Sequence, residues 1–320
     1  MRFGFLSKHF PPEKFLKPSC IGVSFSDSNI KAVLFNNASK KVFLKSAIMP
    51  IEKRTIVDGK IINMGEMVKK LSTMRKDFNQ PFVFFTIPDE LTYVFSASIP
   101  VSAKGNAVES VAFVIEENVP LSLSDAVFDF VPTQITESDS EFKASVVVAA
   151  CVKQEVEKFI EALRKAGFEP VGCIHESQAI ANALLSNKHH GTLSIIHARE
   201  NRIGIYMIKN GLVVFSTLRS VLEGDYKKEF LDEYERFLEY CLKYGENQNQ
   251  PIESVLVCGE FEYAKKAVEA IIDSAGSVKD VKLSNVWTNV FEIDKHLPDI
   301  PYEKSLSFAG PIGAALSEII

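Results

Sequence analysis

Twice along its 320 residues the sequence lays down three strand-like runs separated by short polar turns, near residue 20 and again near residue 193. The first set reads CIGVSFS, IKAVLFNN and KVFLKSAIM, with Asn36-Asn37 in one of its turns. The second is the stretch HGTLSIIHARENRIGIYMIKNGLVVFSTLRSV. Its Asn210-Gly211 pair is a strong hairpin signal, because both residues tolerate the left-handed backbone of a two-residue turn. Each triplet reads as an antiparallel meander, and helical patterns follow both. Two α/β halves opened by the same device place a ligand at the base of a cleft between them, where turns from both halves converge.

The remaining segments fill in this plan. INMGEMVKKLSTMRKDF carries Met64, Met67, Val68, Leu71 and Met74 at helical spacing, so it predicts a helix with one apolar face. The pattern changes at Pro81. FVFFTIP is a solid apolar run bounded by prolines, a buried strand, and TYVFSASIP is another. GNAVESVAFVIEENVP reads as a helix ending before Pro120. AVFDFVPTQI and KASVVVAACV are two more strands across the acidic turn TESDSE, a solvated hairpin tip. This strand, strand, helix, strand, strand block reads as an insertion. Beyond it, KQEVEKFIEALRKAGF puts Val156, Phe159, Ile160 and Leu163 on one stripe, with Gly167 as its stop. The strand EPVGCIH leads into ESQAIANALL, a helix rich in small residues. In the second half a long helix around YKKEFLDEYERFLEYCLKYG turns Phe230, Tyr234, Phe237, Leu238 and Cys241 inward. The strand ESVLVCG, the helix YAKKAVEAIIDSA and a short terminal helix in SFAGPIGAALSEI complete the chain.

Composition excludes several functions. The formal net charge is −5 and no lysine–arginine stripe stands out, which argues against nucleic acid. The five cysteines are scattered without C-x-x-C spacing; they indicate neither a disulfide framework nor a zinc site, and read as small buried apolar residues of a reducing compartment. No apolar stretch reaches the ~20 residues of a membrane-spanning helix. The first residues mix Phe3, Phe5, Leu6, Phe10 and Phe15 with Arg2, Lys8, Lys14 and Lys17 and lack an apolar signal-peptide region. This leader, 1–17, either folds back on the domain or touches an anionic membrane surface. No G-x-S-x-G elbow supports hydrolase chemistry. The neighbours His189 and His190 point apart on a strand and make no metal site. His175-Glu176 reads as a helix-cap arrangement, and the lone Trp287 as packing. No catalytic residue and no metal ligand is assigned.

One stretch raises a sharper question. IGVSFSDSNIKAV has the shape of strand, tight polar turn and strand, the device with which many proteins hold ATP phosphates. Such a turn normally offers glycine, so that backbone N–H groups can close on the ligand, and an acid to manage the metal. This one offers Ser24, Phe25, Ser26 and Asp27.

The order of segments resembles the PilM family of type IV pilus assembly proteins, within the actin-like ATPase superfamily that also contains FtsA and Hsp70. IGVSFSDSNIKAV stands where that family carries an I-G-x-D-I-G pattern followed by I-K. VDGKIIN, IEENVPLSLSDAVFDF, KFIEALRKAGFEPVGCIHESQAIANAL and the terminal SFAGPIGAAL are similar to further family signatures, in the same order from about residue 18 to 318. The resemblance implies an α/β, actin-like (ribonuclease H-like) two-lobed fold with an inserted small α+β subdomain. It divides the chain into a first lobe of 18–81, 150–190 and 305–320, an insert of 82–149 and a second lobe of 191–304.

It also implies where a nucleotide site would lie, and how this chain departs from it. Ser24 and Ser26 replace the family's Asp and Gly in the first phosphate turn, beside Asp27 and Ser28. His197, Ala198 and Arg199 replace an expected D-I-G. Gly259, Glu260 and Phe261 replace G-G-G in the adenosine turn; Phe261 would add bulk where the purine enters. Lys31, Glu176, Gly211 and Gly313 keep the pattern. Each lost glycine puts a side chain where backbone must meet phosphate, and the lost acids remove the usual grip on hydrated Mg²⁺. The implied reading is a pseudo-ATPase without ATP or Mg²⁺ as cofactor: a cytoplasmic scaffold at the inner membrane that binds a short N-terminal peptide of a PilN-like membrane protein, with pilus motor or platform proteins as further candidate partners. Candidate groove walls are Phe82, Phe84 and Phe85, with Phe85 facing away from the other two, and Val119, Pro120 and Leu121. Two alternatives stay open: an ATP-driven switch in which Lys31 and the serines still cradle phosphate, and an FtsA-like division protein.

Overall fold

The structure, a computed structural model, describes residues 19–35, 43–101, 107–138, 141–185, 191–221, 225–244, 252, 254–274, 280–287 and 298–317. The leader, the Asn36-Asn37 turn, the centre of the TESDSE turn and the His189-His190 pair fall wholly or partly outside these residues. In chain order the first elements are β1 (Ile21–Phe25), β2 (Asn29–Phe35), β3 (Phe43–Pro50), the short hairpin β4 (Ile56–Val57) and β5 (Lys60–Ile61), α1 (Met64–Asp77) and β6 (Phe82–Ile87). There follow β7 (Thr92–Val101), α2 (Ala107–Asn118), β8 (Ala126–Ser138), β9 (Glu141–Val152), α3 (Lys153–Lys165), β10 (Glu169–His175) and α4 (Glu176–Leu184). The second half comprises β11 (Thr192–Arg199), β12 (Arg202–Lys209), β13 (Leu212–Ser220), α5 (Tyr226–Tyr244), β14 (Ser254–Gly259), α6 (Phe261–Asp273) and β15 (Asp280–Leu283). The chain closes with α7 (Tyr302–Ser305) and α8 (Ala309–Leu316).

The repetition seen in the sequence is a repetition of topology. The first sheet has the order β10-β6-β1-β2-β3 and the second β15-β14-β11-β12-β13. In each, a three-stranded antiparallel meander is extended on its first strand by two parallel strands. The Asn210-Gly211 turn joins β12 to β13 with φ of 51° and 80°, the left-handed pair that a tight hairpin demands. The two sheets face each other across α4 and α8. Val33, Phe35, Ile195, Tyr206 and Ile208 pack with Ile180, Leu184 and Ile312 in one apolar cluster between them.

Close approach of α8 explains two glycines. A Cβ on Gly22 would lie 1.9 Å from the Pro311 carbonyl oxygen, and one on Gly313 would lie 1.6 Å from that of Ala179. Only glycine lets β1 and α4 touch this helix. Outside the sandwich, α1 and α3 cover the first sheet through Met67, Leu71, Met74, Phe159 and Leu163, and α5 and α6 cover the second through Phe230, Tyr234, Phe237, Ala264 and Ala267.

The insert is smaller than the sequence suggests. β6 is a central strand of the first sheet, parallel to both β1 and β10. The separate unit begins at Thr92: an antiparallel sheet β7-β9-β8 with α2 on one face, closed by Ile99, Val111, Ile115, Val146 and Val148. A solid apolar strand does not reveal which sheet it joins, and only the short turn at Asp89–Leu91 separates β6 from β7. The cysteine expectation also needs correction. Cys151, Cys241 and Cys258 are buried, but Cys20 is half-buried and Cys173 on edge strand β10 is exposed; all five are free thiols. Among the described residues no helix is long and apolar enough to cross a membrane.

Candidate functional site

The cleft lies where the β1–β2 turn of the first lobe meets the ends of β11 and β14 of the second. These ends come together because β11 and β14 are parallel neighbours, and parallel sheets gather their loops at the carboxyl edge. Of the sequence candidates, Ser24, Ser26, Asp27, Ser28, Lys31, His197, Arg199, Gly259 and Glu260 all line one cavity, together with Glu176, Arg202 and Gly310. Its volume is about 80 Å³. Sites for drug-sized ligands run from roughly 300 Å³ upward, so the cavity in this conformation is small for a ligand of nucleotide size.

Two candidates stand elsewhere. Gly313 is a packing glycine between α8 and α4; it is Gly310, one turn earlier, that faces the cleft, 3.4 Å from Ser24 for an added Cβ. Phe261 starts α6 and packs against the second-lobe core instead of lining the cavity.

The first turn spends its polar groups on itself. The Ser26 hydroxyl accepts from Asn29 N–H at 3.1 Å and lies 3.0 Å from the Asn29 carbonyl, and Ser28 Oγ accepts from the Asn29 amide at 2.9 Å. These bonds hold a serine-rich turn in the tight shape that glycine gives more cheaply. Lys31 sits opposite Ser24 on β2. Burial favours its neutral form, while Glu260 and Glu176 favour the ammonium; the net result is a lowered pKa.

The second lobe sends two arginines into the cleft. Arg199 ends β11, Arg202 begins β12, and the two are directly opposed across the hairpin. Arg199 Nη2 lies 3.3 Å from Glu90 Oε1 and its Nη1 lies 4.0 Å from Glu176 Oε2. Arg202 Nε meets the same Glu90 Oε1 at 3.1 Å; its Nη2 reaches Asp27 Oδ2 at 3.2 Å and also pairs with Asp58. Burial alone would disfavour the Arg199 cation, but Glu90 and Glu176 outweigh it and hold the guanidinium charged.

Behind the arginines lies a buried acid cluster. Asp89 accepts from Ser177 N–H at 3.0 Å, at the start of α4, and from the Tyr206 hydroxyl at 2.5 Å. Burial raises its carboxyl to about 6 despite these bonds, and raises Glu176 to about 8 against the pull of Arg199. His197 lies beside the Tyr206 hydroxyl at 3.4 Å and is kept neutral by burial and by the nearby Arg199. One oxygen or nitrogen from each of Asp89, Glu176 and His197 lies within 4.8 Å of the others. Both Asp89 oxygens already accept hydrogen bonds there. The basic groups beside this cluster are Arg199 and Lys31. His175, by contrast, is the N-cap of α4: its Nδ1 accepts from Gln178 N–H at 3.3 Å.

The sequence reading missed Glu90, Arg202, Asp58 and Tyr206 as cleft residues. The pair Asp89-Glu90 carried a usable signal, two acids directly after the apolar run FVFFTIP, where a buried strand ends. Of the groove candidates, Phe84 and Phe85 are buried. Phe85 packs on Phe25 and Phe159 in the first-lobe core, and Phe84 lies against Gly172. Val119 is buried in the insert core, whereas Phe82 and Leu121 are half-buried and Pro120 is exposed.

The sequence profile described as "Type IV pilus assembly protein PilM" matches residues 22–254. Among solved structures, a PilM-PilN type IV pilus biogenesis complex superposes with a TM-score of 0.74 at 17% identity, covering 93% of this chain and 98% of that one. The ethanolamine utilization protein EutJ from Carboxydothermus hydrogenoformans is more distant, with a TM-score of 0.51 at 13% identity over 94% of this chain and 90% of its own. These likenesses agree with the two-lobed actin-like fold. No curated protein matches the sequence.

Proposed function

The chain belongs to the PilM family of type IV pilus assembly proteins, and from that premise we propose that it is a non-catalytic docking component of such a machine, a pseudo-ATPase that works by binding partners. The observation that carries this reading is the state of the cleft. Where an ATPase of this fold keeps room and acids for a metal-bound triphosphate, this chain has a cavity of about 80 Å³ bounded by arginine–carboxylate pairs of its own. Phosphoryl transfer depends on positioned metal and water, and the carboxylates Glu90, Asp27 and Asp58 are committed to arginine.

The partner in this reading is a short N-terminal segment of a PilN-like membrane protein. Support comes from the likeness to a PilM that assembles with PilN, and from the insert, whose half-buried Leu121 and exposed Pro120 leave apolar surface uncovered. An extended peptide is held by backbone pairing and side-chain pockets, neither of which needs nucleotide. In this reading the chain works at the cytoplasmic face of the inner membrane, reached through the partner. The test is anisotropy of labelled N-terminal peptides from single-pass proteins encoded beside this one. Saturable binding with the same affinity in Mg·ATP and in EDTA supports the proposal; binding that requires Mg·ATP contradicts it.

A second reading, a nucleotide switch, draws on Lys31, Ser24 and Gly259, which still share the cavity. The triple change Ser24→Asp, Ser26→Gly, Arg199→Gly separates the two. A pseudo-ATPase gains nucleotide affinity on reversion, whereas a switch already binds and gains little.

A further inference from the structure

We propose that the β11–β12 hairpin is an interlobe latch, in which Arg199 and Arg202 of the second lobe grip acids from three separate turns of the first and hold the cleft shut without a ligand. The inference rests on the reading of the cleft as a site without nucleotide.

The acids come from the β1–β2 turn (Asp27), the β4–β5 turn (Asp58) and the turn after β6 (Glu90), so the contacts tie three first-lobe turns to one hairpin. The three turns are also braced against one another. Gly59 N–H points at Asp27 Oδ1 at 3.4 Å, and a Cβ on Gly59 would meet that of Glu90 at 2.9 Å. Arg202 uses its whole fork: Nε on Glu90, Nη2 on Asp27 and Asp58, and Nη1 on Ser220 of its own lobe at 3.3 Å. The last bond fixes the guanidinium before it reaches across. Lysine carries its three donors on one atom, so it has no fork to span Ser220 on one side and the three acids on the other. The hairpin is itself tied down, since Glu200 N–H donates to Glu260 Oε2 at 2.9 Å at the start of α6.

Charge and burial favour a lasting contact. The side chains of Arg199, Arg202 and Glu90 are 11%, 10% and 5% exposed, so salt screens the two pairs on Glu90 poorly; Asp27 and Asp58, at 28% and 71%, form the solvent-facing end of the contact. Two fixed positive charges face the three carboxylates of Glu90, Asp27 and Asp58 and offset most of their charge from within. Ligand-driven closure in two-lobed proteins draws on differential contacts that a ligand makes in the closed state; here the protein makes those contacts itself.

The test is hydrogen exchange by mass spectrometry on the full chain, native against Arg199→Gln/Arg202→Gln, each with and without Mg·ATP. The latch predicts that the double change speeds exchange at least about tenfold in the turns around 26–29, 57–60 and 88–91, while strands β1 and β12 keep their protection. Unchanged exchange in those turns, with both strands still protected, overturns it. Should the double variant lose its fold, Arg202→Lys decides. It keeps the charge but not the fork, and the latch predicts a smaller rise in the same turns, whereas no rise overturns it. Mg·ATP separates the two claims: protection of the native cleft by nucleotide defeats the pseudo-ATPase reading, and the turns of the variant report on the latch in either case.

Discussion

A single carboxylate oxygen, Glu90 Oε1, lies within reach of both cleft arginines, 3.3 Å from Arg199 and 3.1 Å from Arg202. Removing one partner of a buried ion pair leaves the other charge unpaired and costs ~3–5 kcal/mol. Glu90→Gln therefore destabilises the protein by about that much in chemical denaturation; a loss under ~1 kcal/mol would mean the pairs are loose and solvated. Glu176 makes a prediction of opposite sense. Burial lifts its carboxyl from 4.5 to about 8, so between those values the folded protein keeps a proton that the unfolded chain has released. Stability falls as pH rises through that window. Glu176→Gln imitates the neutral form. Its melting temperature should equal that of the native protein near pH 4 and exceed it at pH 8.5, and an advantage confined to acid would contradict the assignment. At this scale the sequence was half legible. Ser24, Lys31, Arg199 and Gly259 could be placed at the cleft by likeness to a family pattern. Glu90 and Arg202 could not, because their partners lie 109 and 175 positions away for the Arg199–Glu90 and Arg202–Asp27 contacts, and no local spacing encodes such a pair.

The elements were the most readable level, for physical reasons. Helices α1, α3 and α5 each bury one stripe against a sheet, so their 3.6-residue period is written in the sequence. The Asn210-Gly211 turn was legible because its left-handed backbone restricts which residues fit. Gly211 has nothing within 4 Å of an added Cβ, so Gly211→Ala tests backbone strain alone; it should cost about 1 kcal/mol in equilibrium unfolding. β6 was found but assigned to the wrong sheet, since a strand buried on both faces has no periodicity to orient it. The corrected place predicts that Phe85→Ala, which empties the contact with Phe25 and Phe159, costs ~3–5 kcal/mol. Phe82→Ala, at the half-buried start of the strand, should cost clearly less. Equal and small losses would return β6 to the surface of the insert.

On the scale of the molecule, two sheets of the same topology clasp α4 and α8, and the cleft between them is bridged by side chains. The two-lobed plan followed from the repeated meander. The closure did not, because it depends on how the lobes meet, which neither half encodes alone. In the proposed reading the chain keeps a two-lobed frame, fills the cleft with arginine–carboxylate pairs and acts through its outer surfaces. Isothermal titration of Mg·ATP into the full chain tests this most directly. The account predicts no saturable heat below about 100 µM, a binding free energy weaker than roughly −5.5 kcal/mol. A clean 1:1 isotherm at micromolar affinity would contradict it.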